Sequence, residues 1–360
     1  MTIRERQILN WIEENPMISQ EELARKAGIT RSAVAVHISN LMKKGHIAGR
    51  GYVVSGSAYV AVVGGVNIDI GGRPKRPLIE RDSNPGKVSI SLGGVGRNIA
   101  HNMSLLGLHV RFLTAFGDDL HAQRIEASCA DLGIDISHAR KVAEASTSTY
   151  LYLNDENGDM VLAVSDMEIC RQMTPAWLEA CGDVIESASV VVADTNIPQE
   201  TLCDLASRCT CPLFCDPVSG AKASKILPVA EHIHTLKPNR LEAELLTGIR
   251  IRTRAGAEKA ARELLSMGIR RVFLSMGEEG VCAASQEEIL WMPPVPGRMV
   301  RTTGCGDAFM AALVWSFRQG ASLKESARAG LAAASVTMES TETVSPDLSE
   351  DTLKSRMNAV

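Results

Sequence analysis

The stretch Arg301-Thr-Thr-Gly-Cys-Gly-Asp307-Ala-Phe309 combines two glycines, a carboxylate and the start of an apolar helical segment. Glycine permits backbone conformations that a Cβ forbids, so free amides can converge with the helix dipole on one anion. Asp307 lies at the mouth of this turn and could take a proton from an attacking hydroxyl, which predicts phosphoryl transfer with Asp307 as base. Spacing alone equally allows Asp307 to be a simple helix N-cap. The predicted anion hole consists of the amides of Gly304, Cys305 and Gly306.

A second glycine-rich stretch, Ser91-Leu-Gly93-Gly94-Val-Gly96-Arg-Asn98-Ile-Ala100, also leads from a strand-like run into an apolar-periodic helix. The segment Gly64-Gly65-Val-Asn67-Ile-Asp69 precedes it. Together with the first turn, these segments resemble the PfkB/ribokinase family of sugar and nucleoside kinases, over roughly residues 58–345. The most specific part of the resemblance is Thr-Gly-Cys-Gly-Asp-Ala-Phe, because bare glycine patterns are weak evidence.

The resemblance implies a ribokinase-like α/β fold, a doubly wound sheet with helices on both faces and a small β lid. The alternation of strand-like and helix-like segments from Ala58 onward agrees with this fold. Residues 58–360 are therefore predicted to form the kinase domain, with β-rich lid segments at about 71–92 and 147–166. Strands are predicted at Tyr59–Val63, Val110–Thr114, Val190–Ala193, Leu213–Cys215, His232–Leu236 and Val272–Ser275. Helices are predicted at Asn98–Leu106, His121–Leu132, Ala176–Ile185, Gln199–Ser207, Ala255–Ser266 and Ala308–Phe317.

The acceptor site is expected beyond the carboxyl end of the first strand, where ligands of such sheets bind. The resemblance assigns Asp69 to the ribose hydroxyls, since a carboxylate can accept from two adjacent hydroxyls. It places Asn67, Gly94 and Asn98 beside the same acceptor. Without the resemblance, Asn67 and Asp69 could be ordinary turn residues.

The nucleotide side is predicted from two further segments. Lys237-Pro-Asn239-Arg-Leu-Glu242 matches the family's Asn-x-x-Glu element, which implies that Asn239 and Glu242 organise Mg²⁺ and the phosphates of ATP through water. The alternative for Glu242 is an exposed helix residue. Ser275-Met-Gly277-Glu-Glu-Gly280 resembles the family's segment beside the ATP phosphates, so Ser275, Gly277 and Gly280 are ATP candidates. A plain β-turn is the other interpretation of that segment.

Arg301 departs from the family pattern, which has an acidic or amide residue at this point. Many relatives bind a monovalent cation nearby, and a guanidinium would repel that ion or replace its charge. The resemblance therefore leaves a potassium site in doubt. Cys305 stands where alanine is commonest and is expected to be a small buried substitution.

Composition limits the class of protein. The 360 residues, 45% of them hydrophobic, suffice for a large α/β domain and a small accessory one. No secretory or transmembrane-length apolar run occurs, and nine cysteines fit a reducing compartment, so a cytoplasmic protein without membrane contact is expected. Cys209, Cys211 and Cys215 lack the usual zinc-ligand spacing.

The first 57 residues carry eight Lys/Arg and five Glu, a net charge of +3, which leaves −7 for the rest. Helix-like segments follow one another here, with Gly28 at a tight turn and Thr30 as a cap, which is helix-turn-helix spacing. Ile47–Val54 resembles the β-wing of bacterial winged-helix regulators, so residues 1–57 are predicted to bind duplex DNA. Protein contact is the alternative use of this fold. Candidates for base edges are Arg31, Ser32, Ala35 and His37, and for phosphates Lys43, Lys44 and Arg50.

Within the family, Gly-Gly-Val-Asn-Ile-Asp and the lid phrases beginning at Thr147 and Ser165 look most like pseudouridine kinases. The resemblance thus implies phosphorylation of the 5′-hydroxyl of a ribosyl substrate by ATP, with pseudouridine as the first candidate. Other nucleosides such as inosine or uridine, or a free sugar, are alternatives. A transcription regulator that uses the kinase fold as a ligand sensor is a rival of another class. The exposed lid sheet could also pair two copies into a homodimer, although many family members are monomeric.

Overall fold

The structure, a computed structural model, describes residues 1–47 and 58–358. It divides into two compact units, Met1–Tyr59 and Val60–Val360. The described residues of the smaller unit form three helices, α1 (Ile3–Glu14), α2 (Gln20–Ala27) and α3 (Arg31–Lys43).

The three helices of the smaller unit have side-chain caps at their N-termini. Thr2 and Glu5 form a capping box on α1, and Thr30 Oγ1 accepts a hydrogen bond from the amide of Ala33 at the start of α3. Gly28 ends α2 in the left-handed region at φ 64°, as the sequence predicts. The stripe of α3 that packs inward ends at Leu41, and the next residue, Met42, is 45% exposed. The core of this unit consists of Ile8, Leu9, Ile12, Ile18, Leu23, Val34, Ile38, Leu41 and Ile47.

The larger unit alternates strands and helices around one main sheet. Its strands are β1 (Val60–Val63), β2 (Asn67–Pro74), β3 (Gly86–Gly93), β4 (Val110–Leu113), β5 (Ala115–Phe116), β6 (Arg140–Lys141), β7 (Thr149–Asn154), β8 (Met160–Asp166), β9 (Val190–Asp194), β10 (Leu213–Asp216), β11 (Ile233–Leu236), β12 (Arg271–Ser275), β13 (Val281–Ser285) and β14 (Ile289–Met292). Its helices are α4 (Val95–Leu105), α5 (Leu120–Asp131), α6 (Pro175–Ala180), α7 (Gly182–Glu186), α8 (Gln199–Arg208), α9 (Gly220–Ala223), α10 (Arg240–Thr247), α11 (Arg254–Ser266), α12 (Cys305–Arg318), α13 (Leu323–Met338) and α14 (Glu350–Met357). Short 3₁₀ segments occupy Glu168–Gln172, Ser224–His232 and Gly277–Glu279.

The main sheet has eight strands in the order β14-β13-β12-β11-β10-β9-β1-β4. Strands β4, β1, β9, β10, β11 and β12 are parallel, and β13 and β14 are antiparallel. The central strands are buried along their whole length, as expected of a parallel sheet covered on both faces. Because their carboxyl ends share one edge, the loops after β1, β9, β10 and β11 converge there.

The predicted elements differ from the structure at three helices. The segment predicted as one helix over Ala176–Ile185 is two helices, α6 and α7, which meet at Cys181 beside Gly182, a residue of low helix propensity. Helices α4 and α12 begin three residues earlier than predicted, at Val95 and Cys305. In both cases the last glycine of the turn, Gly96 or Gly306, lies inside the first helical turn and not before it.

A separate four-stranded sheet, in the order β3-β2-β7-β8, occupies the two segments predicted as the lid. Strand register gives its two faces different chemistry. One face carries the row Ser91, Asp69, Tyr150 and Ser165. The other face carries the row Ile90, Ile70, Leu151 and Val164, followed by Val88, Gly72, Leu153 and Leu162.

Candidate active site

The N-terminus of α12 opens at the edge where the strand ends converge. Gly304 is its N-cap residue with φ 90°, and a Cβ there would overlap the carbonyl oxygen of Thr343, so this position requires glycine. Gly306 does not adopt the backbone conformation reserved for glycine that the sequence suggests, because it is not among the glycines with positive φ. A Cβ at Gly306 would instead lie 3.2 Å from Nζ of Lys237, so its missing side chain leaves room for that lysine.

Asp307 is the third residue of α12 and is buried. Its Oδ2 accepts a hydrogen bond of 2.9 Å from Nδ2 of Asn98 in α4. The alternative that Asp307 is the N-cap is wrong, since Gly304 occupies the cap position. Burial, with the charge of Asp216 next in weight, raises the pKa of Asp307 to about 8, against the lowering effects of Asn98 and Lys237.

Two charged residues that the sequence did not single out lie beside Asp307. Asp216 ends β10 and Lys237 directly follows β11; both are buried, and Nζ of Lys237 lies 3.2 Å from Oδ2 of Asp216. Burial lowers the pKa of Lys237, but the carboxylates of Asp216, Glu242 and Asp307 outweigh it, so the pKa is raised overall. The available signal was the position of both residues at the carboxyl ends of neighbouring strands.

Asp194, at the end of β9, was also missed by sequence reasoning. Its Oδ2 accepts from the amides of Gly65 at 2.9 Å and Gly96 at 2.7 Å, and its Oδ1 accepts from Asn196 at 2.8 Å. One fully buried carboxylate thus ties together the two glycine-rich loops, which lie about thirty residues apart in the chain. Burial raises the pKa of Asp194, while these amide donors lower it.

The predicted acceptor residues come together at the base of the lid sheet. Asn67 Nδ2 donates to Asp69 Oδ1 at 2.6 Å. Both residues lie inside strand β2, so the alternative that they are turn residues is wrong. Gly94 has φ 97°, and a Cβ there would come within 2.5 Å of the carbonyl oxygen of Gly65, which holds the second glycine turn against the first. Burial raises the pKa of Asp69, partly offset by Asn67 and by the charges of Arg301 and Arg97.

Asn239 and Glu242 form a capping box at the start of α10. The amide of Glu242 donates to Asn239 Oδ1 at 2.9 Å, and the amide of Asn239 donates to Glu242 Oε2 at 2.8 Å. Glu242 is only 3% exposed, so the alternative of an exposed helix residue is wrong. Burial raises its pKa, and the neighbouring charge of Asp216 adds to the effect.

The donor set suits a divalent cation held mainly by phosphates and water. Glu242, Asp216 and Asp307 with Lys237 leave two net negative charges when all four are ionised, and each carboxylate perturbs a neighbour's pKa. Within residues 1–47 and 58–358, no group of three or more His, Cys, Asp or Glu could hold a metal by itself. These residues fit Mg²⁺, which keeps several of its waters, and do not form a protein cage.

The segment from Ser275 to Gly280 lies next to the Asn239 loop. The amide of Ser275 donates to the carbonyl of Pro238 at 2.9 Å, and Ser275 forms a parallel bridge with Asn239. Gly277 (φ 60°) and Gly280 (φ 90°) bound a 3₁₀ turn. The tight turn is therefore present, and contact of these residues with ATP stays a prediction.

Arg301 is half-buried, and its Nη1 donates to the carbonyl of Thr341 at 3.2 Å. Cys305 was expected to be buried and is only half so; its Sγ donates to the carbonyl of Arg301 at 3.8 Å. Burial raises the pKa of Cys305 to about 11, so its thiol is un-ionised at neutral pH. Cys209 and Cys211 have Sγ atoms 3.8 Å apart.

A cavity of about 560 Å³ opens at the same edge. Asn196, Lys222 and Lys225 line it from the main sheet side, and Ser165 from the last lid strand. Lys222 Nζ donates to Asn196 Oδ1 at 2.5 Å, and the Asn196 side chain abuts Gly65, where a Cβ would come within 2.8 Å of it. The cavity thus adjoins the loop that leads to Asn67 and Asp69.

The DNA candidates divide by exposure. Arg31, Ser32, Ala35 and Lys43 are exposed on α3, whereas His37 is half-buried. Lys44 Nζ pairs with Glu5 Oε2 at 3.3 Å, which competes with the phosphate contact predicted for it. Arg50 and the predicted wing beyond Ile47 lie outside the described residues.

A sheet edge with two glycine loops, a buried carboxylate at a helix N-terminus and a β lid is the arrangement expected of a carbohydrate kinase with a ribokinase-like fold. Residues 57–350 match the model of the pfkB family carbohydrate kinases, and residues 1–47 match that of winged helix-turn-helix DNA-binding domains. The chain belongs to the pfkB carbohydrate kinase family and carries a winged helix-turn-helix domain at its amino end. Among its described residues, no helix is both long and apolar enough to cross a membrane.

Individual relatives agree with this assignment. The chain is 38% identical to the uncharacterized sugar kinase YeiI of Escherichia coli (strain K12) over 98% of both chains. It is 39% identical to the pseudouridine kinase of the same organism, over 81% of this chain and 94% of the relative. A solved carbohydrate kinase from Agrobacterium tumefaciens, 28% identical, superposes with a TM-score of 0.74 over 84% of this chain and 98% of that one.

Proposed function

We propose that the protein transfers the γ-phosphoryl group of ATP to the 5′-hydroxyl of a ribosyl substrate, and that this substrate is pseudouridine. The observation that carries the reaction is the buried carboxylate of Asp307, held by Asn98 in the first turn of α12, a helix whose N-cap residue Gly304 provides no side-chain cap. The likeness to a pseudouridine kinase at 39% identity supports the choice of nucleoside. Inosine, uridine and free sugars are the competing substrates.

In the proposed reaction, the 5′-hydroxyl oxygen attacks the γ-phosphorus while its proton passes to the carboxylate of Asp307. The bond between the γ-phosphorus and the bridging oxygen breaks, and ADP leaves with the electron pair. The amides of Gly304, Cys305 and Gly306 stabilise the charge on the transferring oxygens. Asp307 can accept the proton only as a carboxylate. Because its pKa is raised, that carboxylate is a stronger base than an ordinary aspartate.

The ribose is proposed to lie on the polar face of the lid sheet. Asp69 accepts from its hydroxyls, and Asn67 fixes the Asp69 carboxylate through the 2.6 Å hydrogen bond. Gly94 lets the acceptor approach the backbone. Asn98 holds the carboxylate of Asp307, the general base, near the reacting oxygen. Closure of the lid would exclude water, which favours transfer to the substrate over hydrolysis.

We place the nucleoside base in the cavity of about 560 Å³, a volume within the usual range of small-molecule sites. The ammonium of Lys222 and the amide of Asn196 offer hydrogen-bond donors to ring carbonyls, and Asn196 Oδ1 can accept from a ring N–H. Pseudouridine carries an N1–H donor that uridine lacks, so a pocket that satisfies this donor can discriminate between them.

Mg²⁺ is proposed to bind through water near Glu242 and Asn239, with Ser275, Gly277 and Gly280 beside the ATP phosphates. The ion supplies neutralisation of phosphate charge and orientation of the triphosphate. Arg301 is proposed to replace the monovalent cation of relatives. Its hydrogen bond to Thr341 supports this, because that loop also packs on Gly304 through Thr343.

We propose that the segment 1–57 binds duplex DNA through α3, and that 58–360 is the kinase domain. The exposed Arg31, Ser32 and Lys43 and the net charge of +3 support DNA binding.

The rival function is a ligand sensor that does not catalyse phosphoryl transfer. The intact set of Asp307, Asn239 and Glu242 counts against it.

The apolar face of the lid sheet supports a homodimer. Six large side chains there are 41–74% exposed: Val88, Ile90, Leu151, Leu153, Leu162 and Val164. The tip formed by residues 73–87 has five basic and two acidic residues, while residues 155–159 have three acidic and none basic. A two-fold axis parallel to the strands would lay β3 of one copy over β8 of the other and the basic tip over the acidic one.

Sedimentation velocity tests the dimer. Ile90→Asp with Leu162→Lys should give monomers, whereas Leu227→Asp, another exposed leucine outside the lid, should leave the dimer intact. A wild-type protein that is monomeric at all concentrations would sink this proposal.

A steady-state screen tests the function: ATP consumption with pseudouridine, uridine, inosine and ribose. Pseudouridine should exceed uridine and ribose in kcat/KM by at least roughly tenfold, about 1.4 kcal/mol of transition-state binding. If inosine, uridine or ribose ranked first, the pseudouridine assignment would fall and the kinase would stand. Consumption with none of them would favour the sensor.

A further inference from the structure

We infer that Lys237 is a catalytic residue of this reaction, whose ammonium group contacts the transferring phosphoryl group together with the amides of α12. The inference rests on the proposed phosphoryl transfer and adds a group to it. Neither the glycine signature nor the Asn-x-x-Glu element accounts for a lysine at this place.

The position of Lys237 supports the inference. The residue follows β11 directly, is 5% exposed, and extends to the first turn of α12. A Cβ on Gly306 would be 3.2 Å from Nζ and 3.9 Å from Cε of Lys237. Because Gly306 has only hydrogen there, the ammonium lies against the backbone whose amides form the anion hole. An anion seated on those amides is therefore within reach of Nζ.

The charges around Lys237 give a reason for its burial. Its nearest partner is Asp216 at 3.2 Å, and the carboxylates of Glu242 and Asp307 also act on it. A triphosphate that enters a site with three carboxylates meets repulsion, which a fixed ammonium reduces. As a compact point charge with three donors, lysine can hold Asp216 and a phosphoryl oxygen at once.

In the transfer, Lys237 stays protonated throughout. The hydroxyl proton goes to Asp307, the new P–O bond forms to the acceptor, and the old one breaks toward ADP. Lys237 donates hydrogen bonds to oxygens that gain charge as the phosphoryl group moves, so its contribution belongs mainly to the transition state.

The competing explanation is that Lys237 only neutralises buried Asp216. A double variant separates the two, because Asp216→Asn removes the charge that would need neutralising. On the inference, Lys237→Met lowers kcat by a factor on the order of 10²–10³ with little change in the nucleoside KM, and Asp216→Asn/Lys237→Met stays as slow. If the folded double variant regained kcat within about tenfold of the wild type, the inference would be overturned.

A binding measurement gives a second readout. ADP with aluminium fluoride mimics the transferring phosphoryl group, so the wild type with its nucleoside should bind this mixture much more tightly than ADP alone. Lys237→Met should lose that gain while nucleoside binding by calorimetry is kept; retention of the gain would contradict the inference. Lys259→Met, a change at an exposed lysine of α11, is the control and should behave as wild type.

Failure of the inference differs from failure of the proposed function. A wild-type protein that phosphorylates no nucleoside or sugar sinks the function itself. An active wild type whose Lys237 variants keep their kcat sinks only the inference. Because the double variant carries no unpaired carboxylate at position 216, it provides a folded test even if Lys237→Met alone is unstable.

Discussion

Asn98 Nδ2 donates a hydrogen bond of 2.9 Å to Asp307 Oδ2, across 209 residues of the chain. Asn98 lies in the first turn of α4, directly after the second glycine turn, and Asp307 lies in the first turn of α12, directly after the signature turn. This contact joins the predicted acceptor side to the predicted base. It also fixes the direction of the carboxylate, since an amide donor holds one of its two oxygens.

Asp307→Asn is expected to keep substrate and ATP binding and to lower kcat by a factor on the order of 10²–10⁴, because the amide has nearly the same shape but cannot accept the proton. Steady-state kinetics with both substrates varied would place the loss in kcat. Near-normal turnover of the variant would show that another group is the base.

The same substitution should change the pH dependence of stability. The folded-state pKa of Asp307, about 8, lies above the ordinary value of 3.8, so the folded protein retains a proton that the unfolded chain releases. This contribution is complete below pH about 4 and is lost as pH rises through about 8. The Tm of Asp307→Asn minus the Tm of the wild type should therefore increase as the pH rises from 5 to 9. A difference in Tm that does not vary with pH would contradict the raised pKa.

Activity is expected to depend little on K⁺ when compared with Na⁺ or a bulky organic cation at equal ionic strength, because the guanidinium of Arg301 already supplies the positive charge. Initial rates in matched chloride salts would measure this. Strong saturable activation by K⁺ would refute the role given to Arg301, whereas K⁺ activation acquired by Arg301→Asp would support it.

A truncated protein that starts at Ala58 should keep phosphoryl transfer and lose binding to duplex DNA. Fluorescence anisotropy across a salt series would measure DNA binding by the full chain, which should weaken as salt rises. If the truncate folded without kinase activity, the two activities would not be modular. A full chain with no salt-dependent DNA binding would leave the amino-terminal unit a protein-contact module.

Asp69→Ala is expected to lower kcat/KM for pseudouridine, uridine and ribose together, because all three present the same ribose hydroxyls. Lys222→Met should instead affect the nucleosides and spare ribose, since it lines the cavity proposed for the base. Comparison of the two variants across the three substrates checks both assignments. If Asp69→Ala lowered kcat/KM for one nucleoside only, Asp69 would be assigned to the nucleobase and not to the ribose.

The sequence alone determined the architecture and half of the site. Glycine spacing, the Asp307 signature and the strand–helix alternation predicted the fold, because these features depend on local backbone conformation and short-range periodicity. The positions of Gly28 and Thr30 were predictable for the same reason.

Only the tertiary structure revealed Asp194, Asp216 and Lys237. Each stands at or next to the end of a buried strand, and each acquires its role from residues far away in the chain, although Lys237 also opens the segment that contains Asn239 and Glu242. Asp194 is defined by the amides of Gly65 and Gly96, and Lys237 by the space left at Gly306. Parallel strands brought side by side create such contacts at their shared edge, and local sequence patterns do not show which strands are neighbours.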